Sequence, residues 1–136
     1  MATTPIFTKT FDFVTWLLAV TNHFPRSQRF VVTKRLLDAA LDFQETLVDA
    51  NVQHGRARLQ KLDLADAELD KVRLYLRLAF RWQWLSPGQY EHAARQVAEI
   101  GRLLGGWHKA TAAGPAQSKR GSSQPAGRAA VAGAGR

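Results

Sequence analysis

Arg73, Arg77 and Arg81 recur at four-residue steps, a spacing that lines side chains along one side of a helix. Each guanidinium is permanently charged and presents a planar fork of N–H donors. A row of them suits backbone phosphates and holds a polynucleotide without reading its bases. Arg26, Arg29, Lys34 and Arg35 form a second basic group just after the dipeptide Phe24-Pro25, and Arg95 follows the Ser86-Pro87 pair. These eight side chains are the candidate nucleic-acid contacts. A solvated helix face is the alternative reading of one arginine stripe, and the convergence of three segments weighs against it.

Catalytic chemistry has no comparable footing. His23, His54, His92 and His108 stand far apart in the sequence, and no two have the three- or four-residue spacing of a helical metal pair. No Glu-x-x-His motif supplies a di-iron bundle, and no glycine-rich phosphate loop precedes a helix. With no cysteine, disulfides, thiolate metal sites and cysteine nucleophiles are excluded. The expectation is a protein without catalytic residues, metal or cofactor, and without a small-molecule substrate. His23 and His92 would lie at the basic end and within reach of phosphate.

The 136 residues suffice for one domain with its own core, and the apolar share of 46% is that of a globular chain. A net charge of +8 and a pI near 10.6 direct attention to anionic partners. Lys119, Arg120, Arg128 and Arg136 fall in a Gly/Ala/Ser/Pro-rich stretch over residues 111–136 that has no acidic residue. Subtracting those four charges leaves +4 on the rest. That stretch reads as a disordered basic tail behind a folded domain of residues 1–110. No run approaches the roughly twenty apolar residues of a membrane span, Asp12 interrupts the one run that resembles a leader, and the expected location is the cytoplasm.

Four helices would position the arginines. Thr4-Pro5 opens the first, and Phe7, Phe11, Val14 and Leu18 carry it to about His23. Pro25 separates it from a second helix with Phe30, Leu37, Leu41 and Val48 on one side and Leu36, Phe43 and Leu47 beside them. A turn near His54-Gly55 follows, with Asp63 as an alternative, later start for helix three. Leu69, Val72, Leu76 and Phe80 line helix three, and Leu74, Tyr75, Leu78, Trp82 and Trp84 spread around it. So wide an apolar surface implies an oligomer or partner interface at those five residues, or else a broad core stripe with partly exposed tryptophans. Ser86, Pro87 and Gln89 form a capping box that starts helix four. Tyr90, Ala93, Ala94, Val97, Ile100 and Leu104 continue it to Gly105-Gly106, where it ends or loosens, and Gly101 and Gly105 suggest close backbone packing.

Short turns between four helices imply an all-α, antiparallel up-down-up-down bundle. The start of helix two, the end of helix three and the start of helix four then share one end, which is basic. The opposite half holds most of the acids, and the register predicts surface pairs Asp49–Lys61 and Asp38–Lys71.

Residues 5–10 (PIFTKT), 24–30 (FPRSQRF), 68–79 (ELDKVRLYLRLA), 85–92 (LSPGQYEH) and 101–107 (GRLLGGW) resemble, in order, the Avd family, the accessory variability determinants of diversity-generating retroelements. The resemblance spans about residues 5–110. It implies a four-helix protomer in a basic pentameric barrel, related to bundle proteins of ribosomal intervening sequences. It also implies partners: the element's reverse transcriptase and its template RNA, or DNA, with the chemistry left to the transcriptase. An intervening-sequence-type bundle with no retroelement role is the alternative.

Overall fold

Helix formers dominate each of four stretches, and in a computed structural model they fold as α1 (Thr4–Val20), α2 (Val32–Val52), α3 (Gly55–Arg81) and α4 (Pro87–Gly121). The structure describes residues 4–121, with side chains through Gly114. The helices alternate in direction, and each packs on its two neighbours in a square: α1 on α2 and α4, α3 on α2 and α4. The expected up-down-up-down bundle is therefore the fold. Among the described residues no helix is long and apolar enough to cross a membrane.

The core faces of the first two helices differ from those expected. On α1, Ile6, Thr10, Phe13, Val14, Leu17 and Val20 turn inward, while Phe11 and Leu18 are exposed. The inward row includes Thr10, whose polar side chain hides the row from a hydrophobic pattern. On α2 the core residues are Leu36, Ala39, Ala40, Phe43, Thr46, Leu47 and Ala50. Val48 points to solvent, and Phe30 precedes the helix and is exposed. Helices α2 and α3 form the most extensive helix pairing in the bundle.

Turn chemistry sets the helix ends. Phe24 is extended before Pro25, as proline demands of its neighbour, and two single-turn 3-10 helices flank it at Thr21–His23 and Arg26–Gln28. Gly55, with φ 55°, opens α3 just after His54, so the later start at Asp63 is not used. Arg58 reaches back to cap α2, its Nε donating to the Ala50 carbonyl at 2.9 Å and its Nη2 to that of Asn51 at 3.2 Å. The capping box is formed as expected: the Gln89 amide donates to Ser86 Oγ at 3.1 Å, and the Ser86 amide to Gln89 Oε1 at 2.9 Å.

Helix α4 does not stop at Gly105-Gly106. It runs through both and keeps helical geometry until Gly114, where φ 78° and ψ 172° break it. Gly105 has no neighbour where a side chain would begin, so it marks no close packing; Gly101 faces the Arg73 guanidinium. Residues 122–136 and the side chains of Lys119 and Arg120 lie outside the described residues, and with them the greater part of the expected basic tail.

Candidate nucleic-acid interface

Two turns, α1–α2 and α3–α4, lie at one end of the bundle and touch. Phe24, buried, meets Trp84 with ring centroids 5.7 Å apart. The buried Leu85 carries the α3–α4 turn into the core beside them. This contact holds the start of α2, the end of α3 and the start of α4 together, the convergence expected of the three basic segments.

The eight predicted cations divide into two groups. Lys34 pairs with Asp38 at 2.6 Å, Arg73 with Asp70 at 2.7 Å and Arg95 with Glu91 at 2.9 Å. All three are surface pairs one helical turn apart, of low energetic weight. Arg26, Arg29, Arg35, Arg77 and Arg81 are exposed and make no ion pair among the described residues. Asp38 and Glu91, the carboxylates that follow Arg35 and precede Arg95 in the sequence, are thus already engaged. Asp38 turns to Lys34 on its own helix and leaves Lys71, while the predicted Asp49–Lys61 pair is present at 3.7 Å.

Arg73, Arg77 and Arg81 do share a face. They border two adjoining hollows between α3 and α4. One, of about 410 Å³, is lined by Leu74, Arg77, Leu78, Phe80, Arg81 and Tyr90. The other, of about 220 Å³, is lined by Arg73, Leu76, Arg77, Tyr90, Ala94, Val97 and Ala98. Arg77 and Tyr90 belong to both, so the hollows form one groove with an apolar floor and a cationic rim. Phe80 stacks on Tyr90 across it, 4.5 Å between centroids and 9° from parallel.

The five residues assigned to an interface occupy different settings. Leu74 and Trp82 are exposed, and Leu78 is half-buried in the groove. Tyr75 and Trp84 pack against the core, and Trp84 is held by Phe24. Part of the wide α3 stripe thus completes the core, and part remains on the surface. Sequence reasoning missed Phe30, which it placed in the core of helix two.

The histidines do not gather. His92 packs its ring on Trp16 at 4.9 Å, His23 is exposed at the α1–α2 turn, and His108 meets Asp63 at 2.9 Å towards the far end. Among the described residues no three His, Asp or Glu side chains are grouped so as to hold a metal ion.

A family model described as bAvd-like matches residues 6–111. The chain belongs to the bAvd-like family. The matched span takes in α2 and α3, nearly all of α1 and most of α4, both turns at the basic end, and every one of the eight cations. No curated protein matches the chain. Among solved structures, a protein of unknown function of the S23 ribosomal protein family, from Bacteroides thetaiotaomicron, is similar with a TM-score of 0.73. It is 23% identical, and the match covers 80% of this chain and 99% of that one. The likeness is one of fold: an Avd-type bundle and an S23-type bundle share this architecture.

Proposed function

We propose that this bAvd-like chain is a non-catalytic accessory protein of a diversity-generating retroelement, binding the reverse transcriptase and the template RNA in support of mutagenic copying. The observation that carries the reading is the group of five exposed arginines without ion pairs, drawn from the two touching turns and the helix ends beside them. A polyanion releases its condensed counterions when it meets such a surface, and that release drives binding. The rim of the α3–α4 groove extends the surface along the bundle, while its apolar floor suits a protein contact with the transcriptase or with further copies of the chain. A pentameric barrel would repeat the arginines around its axis. The work would be done in the cytoplasm, alongside the transcriptase.

The test is RNA affinity as a function of salt for the chain and for Arg77→Ala/Arg81→Ala. The substituted chain is expected to bind more weakly. On a single strand, the slope of log K against log salt should shrink by about 0.7 for each phosphate that is no longer neutralised. An unchanged affinity and slope would remove these arginines from the interface. Light scattering is expected to give five times the 15.1 kDa chain mass. Capture of the purified chain by the transcriptase tests the second partner.

The S23-type likeness supports a second reading, an intervening-sequence-type bundle that binds nucleic acid or protein without a retroelement. A reverse-transcriptase gene flanked by near-repeats beside this gene separates the two, since only the first reading requires it.

A further inference from the structure

Phe30 and Trp82 are the most exposed aromatic side chains among the described residues, at 78% and 65% of full exposure. Exposure of one large ring is common, but these two share a setting. Each directly follows an arginine without an ion pair, Arg29 before Phe30 and Arg81 before Trp82. Each lies at one of the two turns that the Phe24–Trp84 contact joins. The turn at Trp82 also holds its ring outward. Gln83 takes a left-handed conformation (φ 64°), the Trp84 amide donates to the Ala79 carbonyl at 2.8 Å, and Trp84 and Leu85 turn inward.

We infer that Phe30 and Trp82 are base-stacking platforms and that the basic end binds unpaired polynucleotide in preference to duplex. The inference rests on the nucleic-acid reading proposed above and adds the form of strand it takes. A partner for this surface must offer negative charge and flat apolar faces together. The carboxylates nearest in sequence, Asp38 and Glu91, already pair with Lys34 and Arg95, so the end is cationic with its rings uncovered. A single strand meets both demands, because its phosphates reach arginine while splayed bases lie on aromatic rings. In a duplex the base faces are stacked on one another and only the phosphates remain available. The 2′-hydroxyl has no part in stacking, so single-stranded RNA and DNA are both accommodated.

The experiment compares the full chain with Trp82→Ala, Phe30→Ala and Arg77→Ala/Arg81→Ala. The probes are a mixed-sequence single-stranded RNA and the same strand annealed to its complement. Stacking is not ionic, so each aromatic substitution should weaken single-strand binding about tenfold at every salt concentration without changing the salt slope. Duplex binding should be untouched, and Trp82→Phe should restore most of the loss. The arginine variant should instead flatten the slope on both probes. Binding that depends on the arginines but ignores both rings overturns stacking and leaves the nucleic-acid reading standing, whereas absence of binding to either probe overturns both. A Trp82→Ala chain with unchanged RNA affinity but an altered mass in solution overturns the inference in favour of a protein contact.

Discussion

Phe24 and Trp84 lie 5.7 Å apart, centroid to centroid, and join the two turns from which the unpaired arginines project. Phe24 is buried, so its removal leaves a cavity beside Trp84. Phe24→Ala is expected to destabilise the bundle by about 3 kcal/mol. It should also weaken RNA binding in chains that remain folded, since the arginines lose their common support. Denaturant unfolding and RNA titration below the unfolding transition measure the two effects. Unchanged binding in a destabilised chain would mean that each turn contributes its arginines independently.

The α3 C-terminus holds a left-handed residue that is not glycine. Gln83 sits at φ 64°, where a Cβ crowds the backbone and glycine does not. Gln83→Gly is expected to raise stability by about 0.5–1 kcal/mol, with the Trp84-to-Ala79 hydrogen bond retained. A loss of stability of that size would show that the Gln83 side chain compensates for its backbone strain.

Helix α4 carries Gly105 and Gly106 at helical positions with open space where a side chain would stand. Alanine at either position should stabilise the chain by about 1 kcal/mol, because it restricts the unfolded chain and meets nothing in the bundle. The midpoint of urea unfolding reads this directly. Gly101 differs, since a Cβ there would come within 2.6 Å of the Arg73 guanidinium. That guanidinium is the end of a long side chain and can move aside, so Gly101→Ala is expected to gain less than Gly105→Ala.

Local signals in the sequence were legible and burial was less so. The Ser86–Gln89 capping box and the Phe24-Pro25 break depend on neighbours a few residues away, and both stand as read. The Asp49–Lys61 pair follows from the length of the α2–α3 turn alone. The inward faces of α1 and α2 were misjudged because Thr10, Ala39, Ala40 and Thr46 occupy core positions. Small or polar residues give no hydrophobic signal, and the helices carried enough other apolar residues to suggest a different stripe. At the binding end, the arginines were identifiable by type and spacing. Which of them were engaged by Asp38, Asp70 and Glu91 depended on side-chain placement, as did the exposure of Phe30.

Glu68 is the charged residue whose burial the sequence concealed. It lies on the core face of α3 at 8% exposure, and its Oε1 has no hydrogen-bond partner among the described residues. Desolvation pushes its pKa above the ordinary 4.5. The Thr46 hydroxyl opposes that shift, the Asp42 charge adds to it, and the Lys71 and Lys61 charges oppose it. The folded chain therefore holds this proton more tightly than the unfolded one does. The resulting stabilisation is complete below pH 4.5 and is lost as pH rises through the folded-state value. Above that value the bundle contains an ionised carboxylate in a poorly solvating place. Glu68→Gln removes the titration and leaves the shape. Its melting temperature relative to the natural chain should therefore climb as pH rises from 4.5 through the folded-state value and level off above it. Every other titrating group is common to both chains, so its contribution largely cancels in that difference. A difference that stays flat across the interval would mean that Glu68 titrates alike in the folded and unfolded chain, and that solvent reaches the carboxylate despite its position.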